Sequence, residues 1–265
     1  MRMAVAAFLF LLTGAAVAEP HRIVSANLCA DRLVTALADP DKVISLSYHA
    51  ADPLLSTVLD RSKQVMLNHA DAEEIAALHP DLVIFGQYSS GAAAAMLQGL
   101  GVPVYIMKLP RNLAEVESGI RALAEQLGVA ERGEKLVREI EDGFASLPRP
   151  QQKSRAVIYT AGGWTYGGHS IDDDILSKLG AVNVATLAGI DGIGNLSLEQ
   201  LVTLDPQLII IESIGPDQPS LASQLLEHPA LVSGGARRID MPMKLWQCHD
   251  ASLIEAARRI SEALP

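Results

Sequence analysis

Aromatic residues make up only 4% of this 265-residue chain, and cysteine occurs twice, at Cys29 and Cys248. Two cysteines so far apart allow one disulfide but also free thiols or ligation of a soft metal, and spacing alone does not choose among them. No basic stripe relieves a formal charge of −10, so nucleic acid is not an expected partner. Past the amino terminus no apolar run reaches the ~20 residues that span a bilayer. The chain also lacks a Gly-x-Ser-x-Gly elbow and a His-Glu-x-x-His helix, and no Lys-Ser/Thr pair follows its glycine-rich stretch. An exported hydrolase built on Ser25 or Ser170 with a histidine and Asp172, Asp173 or Asp174 therefore has little support.

What is present begins with a leader. Arg2 precedes the apolar run Ala4 to Leu12, and Ala16-Val17-Ala18 ends it with an Ala-x-Ala pattern, so residues 1–18 read as a secretory signal peptide cleaved after Ala18. Position 19 is Glu and not Cys, which gives no sign of a lipid anchor. The expected product is a soluble exported protein without stable membrane insertion. Its length suffices for one large or two medium domains.

Strands and helices alternate along the remainder. Arg22 to Ser25, Val43 to Ser47, Leu82 to Phe85 and Val102 to Ile106 are apolar strand candidates, separated by helices at about Asp31 to Ala38, Glu73 to Leu78 and Ala92 to Leu100. Near-continuous apolar strands in such alternation predict a parallel sheet covered on both faces. Asn112 with Glu115 makes a capping-box pattern before Val116, Ile120, Leu123 and Leu127. An amphipathic helix follows from Glu131 to Leu147, with Leu136, Val137, Ile140 and Phe144 on one side, and Pro148 and Pro150 stop it. A new strand starts at Ala156 to Tyr159.

The second half repeats the first. Glu73-Glu74-Ile75 through Pro80-Asp81-Leu82-Val83-Ile84 matches Glu199-Gln200-Leu201 through Pro206-Gln207-Leu208-Ile209-Ile210, and Leu33-Val34 matches Ile175-Leu176 in the same order. The expected fold is α/β, with two lobes holding central, mainly parallel sheets, joined by one long helix. The boundaries read as 21–127 for the amino-terminal lobe, 128–149 for the connecting helix and 153–265 for the carboxy-terminal lobe.

With Arg22-Ile23-Val24-Ser25, Glu73 through Ile84, and Leu198-Glu199-Gln200-Leu201 with Leu204-Asp205-Pro206 in this order around a helical connector, the chain resembles the class III periplasmic solute-binding proteins. Those proteins serve ABC importers for cobalamin, ferric siderophores and haem. The resemblance implies a monomer of the periplasm with a ligand cleft between its lobes, limited closure of the lobes on a metal chelate, no cofactor of the protein's own, and no enzymatic activity. It also implies docking to an ABC transporter permease through one exposed glutamate per lobe, here Glu73 and Glu199. By family position Cys29 and Cys248 would lie near the cleft on opposite lobes, where a disulfide would restrain opening.

In parallel sheets ligands gather beyond the carboxyl ends of the strands. The loops there hold Asn27, Tyr48, His49, Gln87 and Tyr88 in the first half, and Trp164, Tyr166, His169 and Asp191 in the second, with Trp246 near the carboxy terminus. Planar side chains of this kind could stack on a macrocycle or catecholate ring. Gly162-Gly163-Trp164-Thr165-Tyr166-Gly167-Gly168 is expected to present its rings outward, because four glycines let the backbone fold tightly around them. Few basic residues lie nearby, Lys108 and Arg111 being the first-lobe candidates, which disfavours strongly anionic siderophores. Cys29, His49, His169, Cys248 and His249 match no compact metal motif, so a receptor for a free transition-metal ion is the weaker alternative.

Overall fold

The computed structural model describes residues 19–89, 91–213, 221–232 and 235–265; the expected signal peptide lies outside them. In the first half β1 (Ile23–Ser25) leads to α1 (Leu28–Leu37), then β2 (Val43–Ser47), β3 (Met66–Asn68), α2 (Ala72–Ala77), β4 (Leu82–Gly86), α3 (Gly91–Gly99) and β5 (Val104–Met107). The strands form one five-stranded sheet in the order β3-β2-β1-β4-β5, and every pairing in it is parallel. Asn27 caps α1 by accepting from the amides of Cys29 and Ala30, and Asp71 caps α2 in the same way.

Two helices then pack together, α4 (Leu113–Gln126) and α5 (Ala130–Ala145). Asn112 caps α4 through Glu115 N, while the Glu115 carboxylate reaches back to the amide of Arg111 rather than that of Asn112, a shifted form of the expected box. Gly133 makes the α4–α5 approach possible, since a Cβ there would lie 2.5 Å from that of Ala124. The helix ends at Ala145, ahead of Pro148.

The second half contains β6 (Ser154–Tyr159), β7 (Trp164–Tyr166), α6 (Ile171–Lys178), β8 (Ala181–Asn183), β9 (Ile193–Asn195), α7 (Leu198–Leu204), β10 (Leu208–Ser213), β11 (Arg237–Pro242) and α8 (Ser252–Ala263). Here β8, β6, β10 and β11 are parallel neighbours, repeating β2, β1, β4 and β5 of the first sheet. The repeat seen in sequence is thus a repeat of topology. It is broken by an antiparallel ribbon: β7 turns back along the end of β6, with Thr165 opposite Tyr159, and β9 pairs with β7.

Side chains alternate between two cores, as the pleat requires. Leu82 and Ile84 of β4, and Leu208 and Ile210 of β10, face one shared core with α1, α4, α5, α6 and α8; Val83 and Phe85, and Ile209 and Ile211, face a separate outer core in each half. The connecting helix is therefore part of a common core through Val137, Ile140 and Phe144, and not a free strut.

Further links join the halves. Cys29 on α1 and Cys248 before α8 form a disulfide, 219 residues apart in sequence. One turn along α1, the buried Arg32 guanidinium meets Asp250: Nη2 donates to Oδ1 at 2.8 Å, and Nε lies 2.6 Å from Oδ2 as an ionic contact without good alignment. Its Nη1 donates to the Lys244 carbonyl at 2.6 Å and its Nη2 also to Ser252 Oγ at 2.5 Å. Elsewhere Leu113 N donates to Asp174 Oδ2 at 2.8 Å. A bridge closing so long a loop restricts the unfolded chain strongly. Replacing both cysteines by serine should lower unfolding stability by about 2–5 kcal/mol, read from urea midpoints with unchanged far-ultraviolet circular dichroism; coincident unfolding curves would show that the bridge adds nothing.

Candidate functional site

Each parallel strand of the first sheet ends in a polar or aromatic exit. After β2 come Tyr48 and His49, after β3 His69, and after β4 Gln87 and Tyr88. Tyr48 is about half exposed, and its ring packs against two imidazoles, with centroids 3.9 Å from His49, tilted, and 5.2 Å from His69, stacked. Tyr88 stands open to solvent. Gln87 Oε1 accepts from Leu109 N at 3.0 Å, which ties the β4 exit to the β5 exit. Asn27 is a helix cap whose Nδ2 reaches Ser89 Oγ at 3.4 Å, so its amide is committed to the architecture of the exits.

Beneath the rings lies a buried polar floor. Asp31 accepts from Ser47 N at 2.9 Å and from Ser47 Oγ at 2.5 Å; Asn68 donates to Ser25 O, Ser45 Oγ and Leu46 O at 2.8–2.9 Å. Burial pushes the Asp31 carboxyl up to about 7, against the lowering effect of the Ser25 and Ser47 hydroxyls and the Ser47 amide.

In the second half the exposed rings come from the ribbon. Trp164 and Tyr166 of β7 share a face with Ile193 and Asn195 of β9 opposite, and Trp164 and Ile193 are 53% and 66% exposed, a wide apolar surface. Thr165 points the other way, is buried, and donates to Ile158 O at 2.6 Å. The glycine-flanked segment is thus a strand with one open side and not the loop expected from its composition. Gly167 fits because a Cβ there would lie 2.0 Å from the Ile190 carbonyl oxygen. His169, held at φ 56°, has Nδ1 2.7 Å from Asp191 Oδ1; both side chains are exposed.

Tyr166 presents only part of its ring, because its hydroxyl donates to Glu212 Oε2 at 3.3 Å. Trp246, expected to offer a ring to the cleft, is 4% exposed and donates its indole N–H to the buried Asp172 at 2.6 Å. It packs in the shared core beside the disulfide and has no open face. Burial, with the neighbouring Asp172 adding to it, raises Glu212 to about 7; burial raises Asp172 to about 6 against the Trp246 hydrogen bond. Burial also holds the His249 imidazole down to about 4, opposed by Asp250 and reinforced by Arg32.

Neither of two cavities in the fold lies at the strand exits. One, of about 620 Å³, is bordered by residues 148–154 and Pro265 at the start of β6; the other, of about 410 Å³, sits behind the Arg32–Asp250 pair. Among the described residues no three His, Cys, Asp or Glu side chains are grouped to hold a metal ion.

Residues 23–236 match the sequence model of the family described as periplasmic binding protein. The chain belongs to that family. Its fold is that of the class III solute-binding proteins, two lobes with a cleft between them. The periplasmic heme-binding protein RhuT of Roseiflexus sp. RS-1, in apo form, superposes with a TM-score of 0.75 at 23% identity, over 92% of this chain and 97% of that one. A periplasmic heme-binding protein of Pseudomonas aeruginosa gives 0.70 at 26%, covering 92% of each chain. The vitamin B12-binding protein BtuF of Vibrio cholerae gives 0.69 at 19%, over 92% and 96%. No curated protein matches the chain. No helix of the described residues of this periplasmic binding protein is long and apolar enough to cross a membrane.

Sequence reading missed His69, Ile193 and the acids Asp31 and Glu212. His69 follows a three-residue strand too short for a periodic signal, and nothing local marks which buried carboxyl is near another.

The raised acids fix a sign. A carboxyl whose folded value lies above its ordinary one holds its proton in the native state, so its contribution is present at low pH and is lost as pH rises through about 6 to 7. Glu212→Gln can keep an acceptor for Tyr166 while removing the charge. Its melting temperature should differ least from that of the parent below about pH 4, under the ordinary carboxylate value, and exceed it by a growing margin up to pH 8, by a stabilisation on the order of 1–3 kcal/mol. Parallel pH profiles would overturn this assignment.

Proposed function

We propose that this protein is the substrate-binding component of an ABC importer for a metal chelate of planar, aromatic-compatible shape: haem, a cobalamin-type corrinoid or a ferric siderophore. The observation that carries the reading is the pair of exposed ring surfaces, Tyr48 with His49 and His69 on one lobe and Trp164 with Ile193 on the other. They sit on a fold shared with proteins described as binding heme and vitamin B12. Stacking on such faces adds about 0.5–1.5 kcal/mol per ring beyond area burial. Tyr88, Tyr166, Gln87 and His169 belong to the same reading as further contacts, with lobes at 21–127 and 153–265 joined through 128–149.

In this reading residues 1–18 direct export to the periplasm, and Glu73 and Glu199 dock the permease. Both acids are exposed and occupy the first turn of equivalent capped helices, α2 and α7, where a carboxylate is favoured by the helix dipole. A two-fold permease would need one such acid from each lobe.

The hydrolase alternative is weakened by what its members do here. Ser170 Oγ donates to Gly167 O and caps α6, Ser25 is buried, and Asp172 is bound to Trp246.

Fluorescence titration with hemin, cyanocobalamin and ferric catecholate or hydroxamate chelates should give saturable quenching with one class. Trp164→Ala should weaken that affinity by about threefold to tenfold, whereas Trp246→Phe should change emission and leave affinity near the parent value. Equal affinity for Trp164→Ala and the parent would remove the second surface from the site. Glu73→Ala combined with Glu199→Ala should abolish uptake in cells with binding intact; normal uptake would end the docking assignment.

A further inference from the structure

We infer that Asp31 is a positioning residue for the Tyr48–His49–His69 ring cluster: a carboxyl sealed beneath it that fixes the exit of β2 and registers the cluster against the opposite lobe. Its value for cargo rests on the function proposed above; its structural part does not.

Asp31 is 0% exposed and cannot touch a ligand. A helix that only filled a core would place an apolar side chain there, since an acid so buried is costly unless its bonds are specific. Both of its oxygens are used on one residue, Ser47, one accepting from the amide and the other from the hydroxyl. Ser47 is the last residue of β2, and Tyr48 and His49 begin the 3-10 turn that follows. Two bonds to one residue hold the direction in which the chain leaves the strand, which one bond would not.

The neighbouring exit is tied to the same floor. Asn68, the last residue of β3, donates to Ser25 O, Ser45 Oγ and Leu46 O, and its Oδ1 accepts from Ala70 N at 3.1 Å, so the turn holding His69 is fixed to β1 and β2. Ser25 of β1 lies beside Asp31 and favours its ionised form, while its hydroxyl donates to Asn27 O at 3.3 Å. On the helix itself Cys29 and Arg32 flank Asp31, one in the disulfide and the other on Asp250 of the second lobe. The groups around Asp31 are therefore the Ser25 and Ser47 hydroxyls from the two strands and Arg32 on its own helix, turned to Asp250. The titratable members of the cluster above are Tyr48, His49 and His69. One helical turn carries the clamp on the rings and the bond to the other lobe, so the rings cannot shift without pulling on that bond.

The test compares Asp31→Ala, Asp31→Asn and Ser47→Ala in the disulfide-intact protein. Imidazole proton signals of His49 and His69 are recorded by nuclear magnetic resonance, where the Tyr48 ring current displaces them. Asp31→Ala should collapse the His49 displacement and weaken hemin or cyanocobalamin binding about tenfold. Asp31→Asn can still accept from Ser47 N and donate to Ser47 Oγ, so it should keep the displacement and bind within about twofold of the parent. Ser47→Ala, which keeps the amide bond alone, should fall between, and it decides the matter if Asp31→Ala does not fold. Ring signals in Asp31→Ala or Ser47→Ala that superpose on the parent overturn the inference. If the parent binds none of hemin, cyanocobalamin and the ferric catecholate or hydroxamate chelates, the cargo reading fails while the ring signals still decide the role of Asp31.

Discussion

The structure depends on the contact between the first turns of α1 and the segment 244–252. A lone buried guanidinium would cost several kcal/mol. Arg32 offsets most of that cost because Asp250 neutralises it and Asp250, Ser252 Oγ and the Lys244 carbonyl accept from its two terminal nitrogens, and all three partners belong to the other half of the chain. The disulfide one turn earlier keeps those partners in place. Neither lobe therefore has a satisfied inner face without the other. The shared core of α4, α5 and α8 says the same in apolar terms.

This constraint shapes the two ring surfaces differently. The first lobe displays its rings at ordinary strand exits, supported from below by Asp31 and Asn68. The second lobe departs from the repeat to make its surface, inserting β7 and β9 where the first has no counterpart. Thr165, anchored to Ile158 O, pins the ribbon so that Trp164 on the opposite side stays out. Behind it Glu212, Asp172, Tyr166 and Trp246 form a polar nucleus in which burial raises the two carboxyls to about 7 and about 6. Buried acids of this kind reduce stability as pH rises, and their placement behind a candidate binding surface is where a protein tolerates such a cost.

How much of this was legible in the sequence follows from the range of the interactions. The parallel strands, the cap at Asn112 and the topological repeat rest on local pattern, and they stand where expected within a few residues. Tyr48 and His49 could be placed at a strand exit because β2 is long and apolar. Trp246 could not be told from Trp164: both lie in elements of three or four residues, too short for a periodic signal, and what separates them is an aspartate 74 residues away that accepts one indole and not the other. The cysteine pair was equally ambiguous, since a disulfide is a statement about distance across the fold. The ribbon was hidden because glycine-rich composition suggests a loop, whereas the alternation of Trp164, Thr165 and Tyr166 across three residues is too brief to outweigh it.

Links at both ends of the lobe contact also bear on how a ligand would be held. Leu113 N on Asp174 ties α4 to the first turn of α6, and Gln247 Nε2 on Leu55 O, with the disulfide, ties the far side. A hinge so restrained can give little closure, so little binding energy would go into ordering the lobes and little extra contact would be gained by it. Affinity would then rest on surfaces already formed before the ligand arrives. On the proposed function the demand then falls on the rigidity of the ring supports, and the buried polar residues at the exit of β2 and behind Tyr166 are placed to supply it.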